Sequence, residues 1–305
     1  MTKKRLIWFQ GDIIPVEEAK INVLTPTCQF GANVFEGMRC YWNDRENQLY
    51  GFKILQHLER LLNSVKLIGF ESKYNLNDLI ESFKEIIIAN NYKEDIVVRQ
   101  TIFLNGFGSW NATGPTDMFI APIPKGRSYG EEEGIHCCIS SWERINDRSL
   151  SPKIKAGANY INSRMGQLEA VRNGYDSAIF LNNQGKVSES SGSCIFMIRE
   201  GCLITPPITA SILESITRLI IINIAKEDLG CEVIERDIDR TELYLADEIF
   251  LCGTAMEIAP VINIDKLLVG TGKIGTITNN LQGLYLNIAR GKVNKYINWL
   301  TPIYK

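Results

Sequence analysis

The sequence predicts an α+β protein of two lobes, and three observations carry that expectation. Segments of strand character and of helical character both recur along the chain, without the strict β-α alternation of a parallel sheet. One stretch dense in Pro, Gly and charge, PIPKGRSYGEEEG at 122–134, interrupts them and reads as a linker. The length, 305 residues, suits one large domain or two of ordinary size with a substantial core. The expected division is a small α+β lobe over 1–124, an interdomain loop over 125–134 and a large lobe over 135–305.

Each element has its own warrant. RLIWF and IIPV flank Gly11-Asp12 and read as a hairpin. Leu55, Leu58, Leu61, Leu62, Val65 and Ile68 recur at helical spacing, as do Leu76, Leu79, Ile80, Phe83, Ile86 and Ile87. IVVRQTIFL and DMFIAPIP are rich in β-branched and aromatic residues and read as strands. Beyond the linker, IHCCISSW, SAIFLNN, SCIFMI, CEVIE and EIFLCG read as buried strands, separated by helix-like stretches near 160–173, 216–229 and 278–290. A cleft between two lobes is the default place for a small-molecule site.

Composition excludes several classes of function. With 33 Lys+Arg against 35 Asp+Glu, the net charge of −2 argues against a dedicated nucleic-acid binder. His57 and His136 are the only histidines, so neither an H-E-x-x-H site nor a three-His zinc site can exist. None of the eight cysteines forms a C-x-x-C pair, and most sit in apolar runs where a free thiol acts as a small hydrophobe. No metal is expected. The N-terminus has too few apolar residues for a signal peptide, and the apolar run LIIINIA is far shorter than a membrane span. A cytoplasmic protein without membrane or nucleic-acid partners is expected.

Gly270-Thr-Gly272-Lys-Ile-Gly275 matches the letters of the dinucleotide fingerprint G-x-G-x-x-G. The mechanism behind that fingerprint also needs an acidic residue roughly 20 positions on, to hold the ribose. No Asp or Glu follows Asp265, so the segment reads as a glycine-rich turn.

Five other segments pair polar side chains with places where anions or cofactors bind. Ser215-Ile216-Thr217-Arg218 opens a helical run, and a helix N-terminus with free N–H groups accepts phosphate; the plainer reading is an ordinary N-cap. Cys252-Gly253-Thr254-Ala255 ends an apolar strand with small residues; the plainer reading is a tight turn. Arg60, three residues after His57, lies on a helix, where an arginine is usually solvated. Lys153 and Lys155 sit in SPKIKAGANYINS, as a covalent-catalysis lysine or as ordinary loop residues. Glu189 in KVSESSGS serves as a buried carboxylate or caps a turn. Together, a phosphate site, a lysine, a tyrosine and a carboxylate are what pyridoxal phosphate requires.

At these residues the sequence resembles the fold-type-IV, or class IV, pyridoxal-phosphate aminotransferases, and within them the branched-chain amino acid aminotransferases. The resemblance runs nearly end to end, through IWFQGDIIP, FGANVFEGMRCY, HLERLLNSVKL, VVRQTIF, ISSWERI, KAGANYINS, YDSAIFLNNQGKVSESSG, ITPPITASILESITR, LYLADEIFLCGTAMEIAPV and GKIGTIT. It implies the two-lobed fold of the D-amino acid aminotransferase type, with pyridoxal 5'-phosphate in the cleft. Lys155 would bond the cofactor covalently and shuttle the proton between substrate Cα and cofactor C4′. Tyr160 would bind the phenolate oxygen and Glu189 the pyridine nitrogen, while Leu213 and the Gly192–Ser193 peptide would sandwich the ring. Arg60, Ile216, Thr217 and Thr254 would hold the phosphate. Phe35, Gly37, Arg39, Val97, Arg99, Tyr129, Thr254 and Ala255 map to the substrate pocket, with Phe30 reaching in from a second subunit of a homodimer or larger homo-oligomer.

The departures from the family pattern cluster near the substrate. Val97 stands where the family commonly has tyrosine, Lys125 where it has an aromatic residue, and Cys194 where it has asparagine. Glu214-Ser215 replaces the usual Pro-Gly. The resemblance implies exchange of L-Leu, L-Ile or L-Val with 2-oxoglutarate, as in branched-chain amino acid biosynthesis. The alternatives are a class IV transaminase with a divergent substrate, a relative of the D-amino acid transaminases or aminodeoxychorismate lyases, and a non-catalytic binding protein, against which Lys155 argues.

Overall fold

The computed structural model describes residues 5–127 and 134–304. Two compact units are present: Met1–Gly126, Ile154–Ala158 and Asn287–Lys305 form the first, Arg127–Lys153 and Asn159–Leu286 the second. In chain order the first unit contributes β1 (Leu6–Phe9), β2 (Asp12–Pro15), α1 (Pro26–Phe30), β3 (Asn33–Asn43), β4 (Gln48–Phe52), α2 (Ile54–Ile68), α3 (Leu76–Asn90), β5 (Ile96–Leu104) and β6 (Thr116–Pro124). The second contributes β7 (Ile135–Glu143), α4 (Tyr160–Arg172), β8 (Ser177–Leu181), β9 (Val187–Ser190), β10 (Cys194–Arg199), β11 (Cys202–Thr205) and α5 (Ile216–Glu227). Then come β12 (Val233–Glu235), β13 (Glu248–Gly253), β14 (Glu257–Ile264), β15 (Leu267–Leu268) and α6 (Thr276–Ala289). The last strand, β16 (Leu300–Pro302), belongs to the first unit.

The first unit is built on an antiparallel sheet of order β16-β4-β3-β5-β6-β1-β2. The expected hairpin is present, but Phe9 pairs with Asp12, so its turn is Gln10-Gly11 rather than Gly11-Asp12. Both turn residues take positive φ, 57° and 109°, as a two-residue hairpin turn demands. β3 shows why the sheet has two different faces. Val34, Glu36, Met38 and Cys40 are fully buried on one side. There Val34, Met38 and Cys40 join Leu58, Leu61 and Val65 of α2 and Leu79, Phe83, Ile86 and Ile87 of α3 in one core. Those helical residues belong to the stripes that the spacing predicts, though Leu55, the first position of the α2 stripe, is exposed. Truncating one of them, Leu58→Ala, would cost roughly 2–5 kcal/mol. Phe35, Gly37 and Arg39 point to the opposite face, since side chains alternate along a strand. Gly37 pairs with Arg99 and Arg39 with Val97, so those two residues of β5 share that face.

The second unit holds a mixed sheet of order β12-β11-β10-β13-β14-β7-β8-β9, with β15 on β14. β11/β12, β14/β7 and β7/β8 are parallel; the other pairs are antiparallel. Its core includes Ile135, Ile179, Ile195, Met197, Leu251 and Val261. The Gly270–Gly275 segment leads into α6, and its chemistry settles the motif. The Glu248 carboxylate accepts from Ile277 N at 3.1 Å and from Thr278 N and Oγ1 at 2.8 and 2.7 Å. A helix start already capped by a carboxylate repels a pyrophosphate. A Cβ on Gly275 would lie 1.9 Å from Glu248 Cδ, so glycine there makes room for the cap and not for a nucleotide.

Among the described residues no helix is long and apolar enough to cross a membrane, and no cluster of His, Cys, Asp or Glu could hold a metal ion. All eight cysteines are free thiols.

Candidate active site

In the first unit Lys155 lies against Phe35, between β3 and α2. The stretch 154–158 lies alongside β3: Phe35 N donates to Lys155 O at 3.0 Å, Gly157 N donates to Asn33 O at 3.0 Å, and Ala156 bridges Val34. On its other side, Lys155 N donates to Ser64 Oγ of α2 at 3.1 Å. Ser64 lies four residues beyond Arg60, on the same helical face. The lysine backbone is thus tied to a strand and a helix, while its ammonium reaches over the Phe35 ring, 5.2 Å from the centre.

Arg60 is not the solvated arginine of the plainer reading. Its Nε and Nη2 donate to the two carboxylate oxygens of Glu36 at 2.7 and 2.9 Å, and the side chain is 14% exposed. His57 Nδ1 meets the same carboxylate at 2.8 Å. Burial alone would push the Glu36 carboxyl up, but the Arg60 charge and the His57 contact outweigh it and hold it well below the usual carboxylate range. Burial pushes the His57 imidazole down, with Arg60 and Lys155 acting in the same direction, against the pull of Glu36. A neutral His57 therefore donates Nδ1–H to an ionised Glu36. His57 thus braces the Glu36 carboxylate that Arg60 also holds. Glu36 was not singled out from the sequence. Its signal was available: a lone carboxylate on the inward phase of an apolar strand needs a cationic partner.

On the other face of the first sheet, Phe35 and Val97 are buried and Arg99 is exposed. The Arg99 guanidinium carbon lies 4.3 Å from the centre of the Phe35 ring. A Cβ on Gly37, opposite Arg99, would meet nothing within 4 Å, so open space lies there. Arg39 is fully buried; both Nη atoms donate to Gly126 O, at 3.1 and 3.0 Å, and its Cζ lies 5.1 Å from the Tyr41 ring centre. Phe30, at the end of α1, is exposed. Tyr129 lies outside the described residues.

In the second unit the predicted residues also come together. Glu189, on β9, is buried; its Oε1 accepts from Arg144 Nε at 2.9 Å and Nη2 at 2.7 Å, and its Oε2 from Leu213 N at 3.2 Å. Cys194 Sγ lies 3.9 Å from Glu189 Oε2 and from Leu213 O, so the residue that departs from the family touches both. Two residues after Leu213, Ser215 caps α5, its side chain accepting from Arg218 N. The first turn of α5 carries no acid, unlike the Glu248-capped start of α6. Thr217 Oγ1 lies 3.4 Å from Thr254 Oγ1, in the turn between β13 and β14, with Ala255 exposed beside it. Gly192 and Ser193 form the turn between β9 and β10, and a Cβ on Gly253 would come within 3.3 Å of Gly192 O. Tyr160 is the first residue of α4 and lines, with Gly192, a cavity of about 600 Å³ in this unit. Arg144 was missed from the sequence: a single arginine after a strand carries no periodic signal.

These residues fit a pyridine-ring cofactor bearing a phosphate. A 12-residue helix starts with an acid-free turn, next to two threonine hydroxyls. A buried, ion-paired carboxylate lies within hydrogen-bond reach of Leu213 N, on the approach to that helix. The Oγ of Ser193 is buried without a hydrogen-bond partner among the described residues.

Comparison with known proteins agrees with this chemistry. The model of the class IV amino-transferases matches residues 33–264. A probable branched-chain-amino-acid aminotransferase of Aquifex aeolicus is 42% identical over 97% of this chain and 96% of its own. The crystal structure of the branched-chain amino acid aminotransferase from Thermobaculum terrenum, in its PLP holo form, matches with a TM-score of 0.94 at 42% identity, covering 100% of both chains. That of the branched-chain aminotransferase from the thermophilic archaeon Thermoproteus uzoniensis, with norvaline, matches at 0.94 and 41% identity, covering 99% of this chain and 100% of its own. The chain belongs to the class IV aminotransferases, among the branched-chain-amino-acid aminotransferases, and has their fold.

Proposed function

We propose that this protein uses pyridoxal 5'-phosphate to move the amino group between L-leucine, L-isoleucine or L-valine and 2-oxoglutarate. The observation that carries the cofactor reading is the buried Glu189 carboxylate, ion-paired with Arg144 and bonded to Leu213 N two residues before the acid-free start of α5. The bound cofactor supplies an electron sink for the pair left when the substrate Cα–H bond breaks. This chain's residues do the rest. Lys155 holds the cofactor through Nζ and carries the Cα proton; its backbone anchors on Ser64 and Phe35 keep the amine on a fixed base. Glu189 would bind the ring nitrogen and Tyr160 the phenolate oxygen. Leu213 and the Gly192–Ser193 peptide would flank the ring. Arg60, the first-turn N–H groups of Ile216 and Thr217, and Thr254 Oγ1 would hold the phosphate.

Phe35 and Val97 supply an apolar wall for aliphatic side chains, beside the open space at Gly37. Arg99, exposed on the same face, suits the distal carboxylate of glutamate, so one pocket serves both partners in turn. The exposed Phe30 suits a homo-oligomer in which it enters the neighbouring pocket, with Arg39, Thr254 and Ala255 completing the substrate's surroundings. Eight free cysteines suit the cytoplasm, and the substrates suit branched-chain amino acid biosynthesis.

The test is a panel of 2-oxo acids with L-glutamate as donor. Turnover is expected with the branched acids, and its absence would reassign the substrate while leaving the chemistry. Visible absorbance of bound cofactor that persists unchanged in Lys155→Ala would overturn the chemistry itself.

A further inference from the structure

Phe35 meets two cationic side chains with one ring. The Arg99 guanidinium carbon lies 4.3 Å from the ring centre and the Lys155 ammonium 5.2 Å from it. The ring cannot wander: Phe35 is 7% exposed, and its N–H is bonded to Lys155 O. Arg99, in contrast, is exposed. The sheet register brings the two together. Phe35 pairs with Thr101, so Arg99, two residues back along β5, is its diagonal neighbour, a separation that long and aromatic side chains span. The residue directly opposite Arg99 is Gly37, which has no side chain to intervene.

An exposed arginine samples many rotamers, and fixing them on binding opposes affinity. A ring that attracts the guanidinium removes part of that cost before the ligand arrives. Aliphatic acids gain nothing from this arrangement; they touch the ring only as apolar surface.

We propose that Phe35 is a specificity-determining residue whose ring pre-positions Arg99, and so sets how strongly a dicarboxylate is held relative to a branched aliphatic acid in the same pocket. This rests on the reading above that Arg99 meets the distal carboxylate, and the experiment separates the two.

The holoenzyme is titrated calorimetrically with glutarate and with 4-methylpentanoate, for wild type, Phe35→Leu, Arg99→Met and the double variant. Glutarate affinity is expected to fall about 3- to 30-fold in Phe35→Leu, the span of a cation–ring contact. In the double variant that loss disappears, because the arginine is no longer there to position. For 4-methylpentanoate the two changes multiply to within about twofold. Phe35→Tyr, which keeps the ring, retains glutarate affinity within about twofold of wild type; a loss as large as that of Phe35→Leu would overturn the proposal. If Phe35→Leu fails to fold, Phe35→Met takes its place in the cycle. Independent effects of the two changes on glutarate, or equal coupling for both acids, would overturn the proposal. An Arg99→Met variant that leaves the ratio of the two affinities unchanged removes the reading beneath it, and the proposal with it.

Discussion

Arg144 donates to a single oxygen of Glu189 twice, from Nε at 2.9 Å and from Nη2 at 2.7 Å, with both side chains buried. The same guanidinium reaches Asn162 Oδ1 and Ser163 Oγ on α4, both at 3.2 Å. The carboxylate expected to face the cofactor is therefore bolted to a helix through an arginine. Arg144→Gln strands that charge and is expected to cost about 3–5 kcal/mol of stability. Adding Glu189→Gln should recover a large part of the loss. Urea unfolding of the two variants checks this, and equal stability of the single and double variants would contradict it.

The buried His57 gives a prediction about pH. Its folded-state pKa is lowered by burial, so the unfolded chain takes up a proton that the native protein refuses. Stability from this residue is complete above the unfolded value near 6.5 and drains as pH falls below it, by at most about 1.4 kcal/mol per pH unit. His57→Asn keeps a side-chain amide donor for Glu36 but cannot titrate. Thermal melts between pH 7 and pH 5 should fall less steeply for the variant than for wild type.

Glu36 behaves oppositely in origin but alike in sign. Its carboxyl is held below its ordinary value, so its contribution is present above about pH 4.5 and is lost as pH falls beneath that. Glu36→Gln should unfold more readily than wild type at pH 7, and the gap should narrow in strong acid. Parallel denaturation curves at pH 7 and pH 3 with the same gap would rule this out.

Gly37 and Gly166 separate pocket from packing. A Cβ on Gly37 meets open space, whereas one on Gly166 would come within 2.3 Å of the Phe180 ring. Gly37→Ala should leave the melting temperature unchanged and lower kcat/KM for leucine, because it narrows the substrate face. Gly166→Ala should cost about 1–3 kcal/mol through overpacking and affect both substrates alike.

The α6 cap is a further structural lever. Glu248→Ala removes the acceptor of two backbone N–H groups and should lower stability by about 0.5–2 kcal/mol. Calorimetry of the variant measures it.

What the sequence revealed was what repeats or sits close by. The stripes of α2 and α3 follow from spacing and the strands β5 and β6 from β-branched and aromatic composition, and the missing acid after Gly275 was enough to discard the nucleotide motif. The partners of Arg60 and Glu189 were not legible: Glu36 lies 24 residues from Arg60, and Arg144 lies 45 residues from Glu189. Neither separation belongs to a helix or strand period. The return of β16 to pair with β4 was invisible for the same reason. The hairpin turn was misplaced by one residue because Gln10, at positive φ, gives no compositional warning. The site residues themselves came from resemblance, which stores long-range geometry that periodicity does not.

Lys155, the residue proposed to bond the cofactor, sits in a five-residue stretch, Ile154–Ala158, that belongs to the first unit although the chain on either side of it belongs to the second. No single cut of the gene therefore yields a chemically complete half. A fragment ending at Gly126 carries Arg60, Phe35 and Arg99 with no amine to use them. A fragment beginning after it carries the amine without Ser64 or β3 to steady it. Any split version of this protein, or any swap of one half with a relative, must graft that pentapeptide as a separate part.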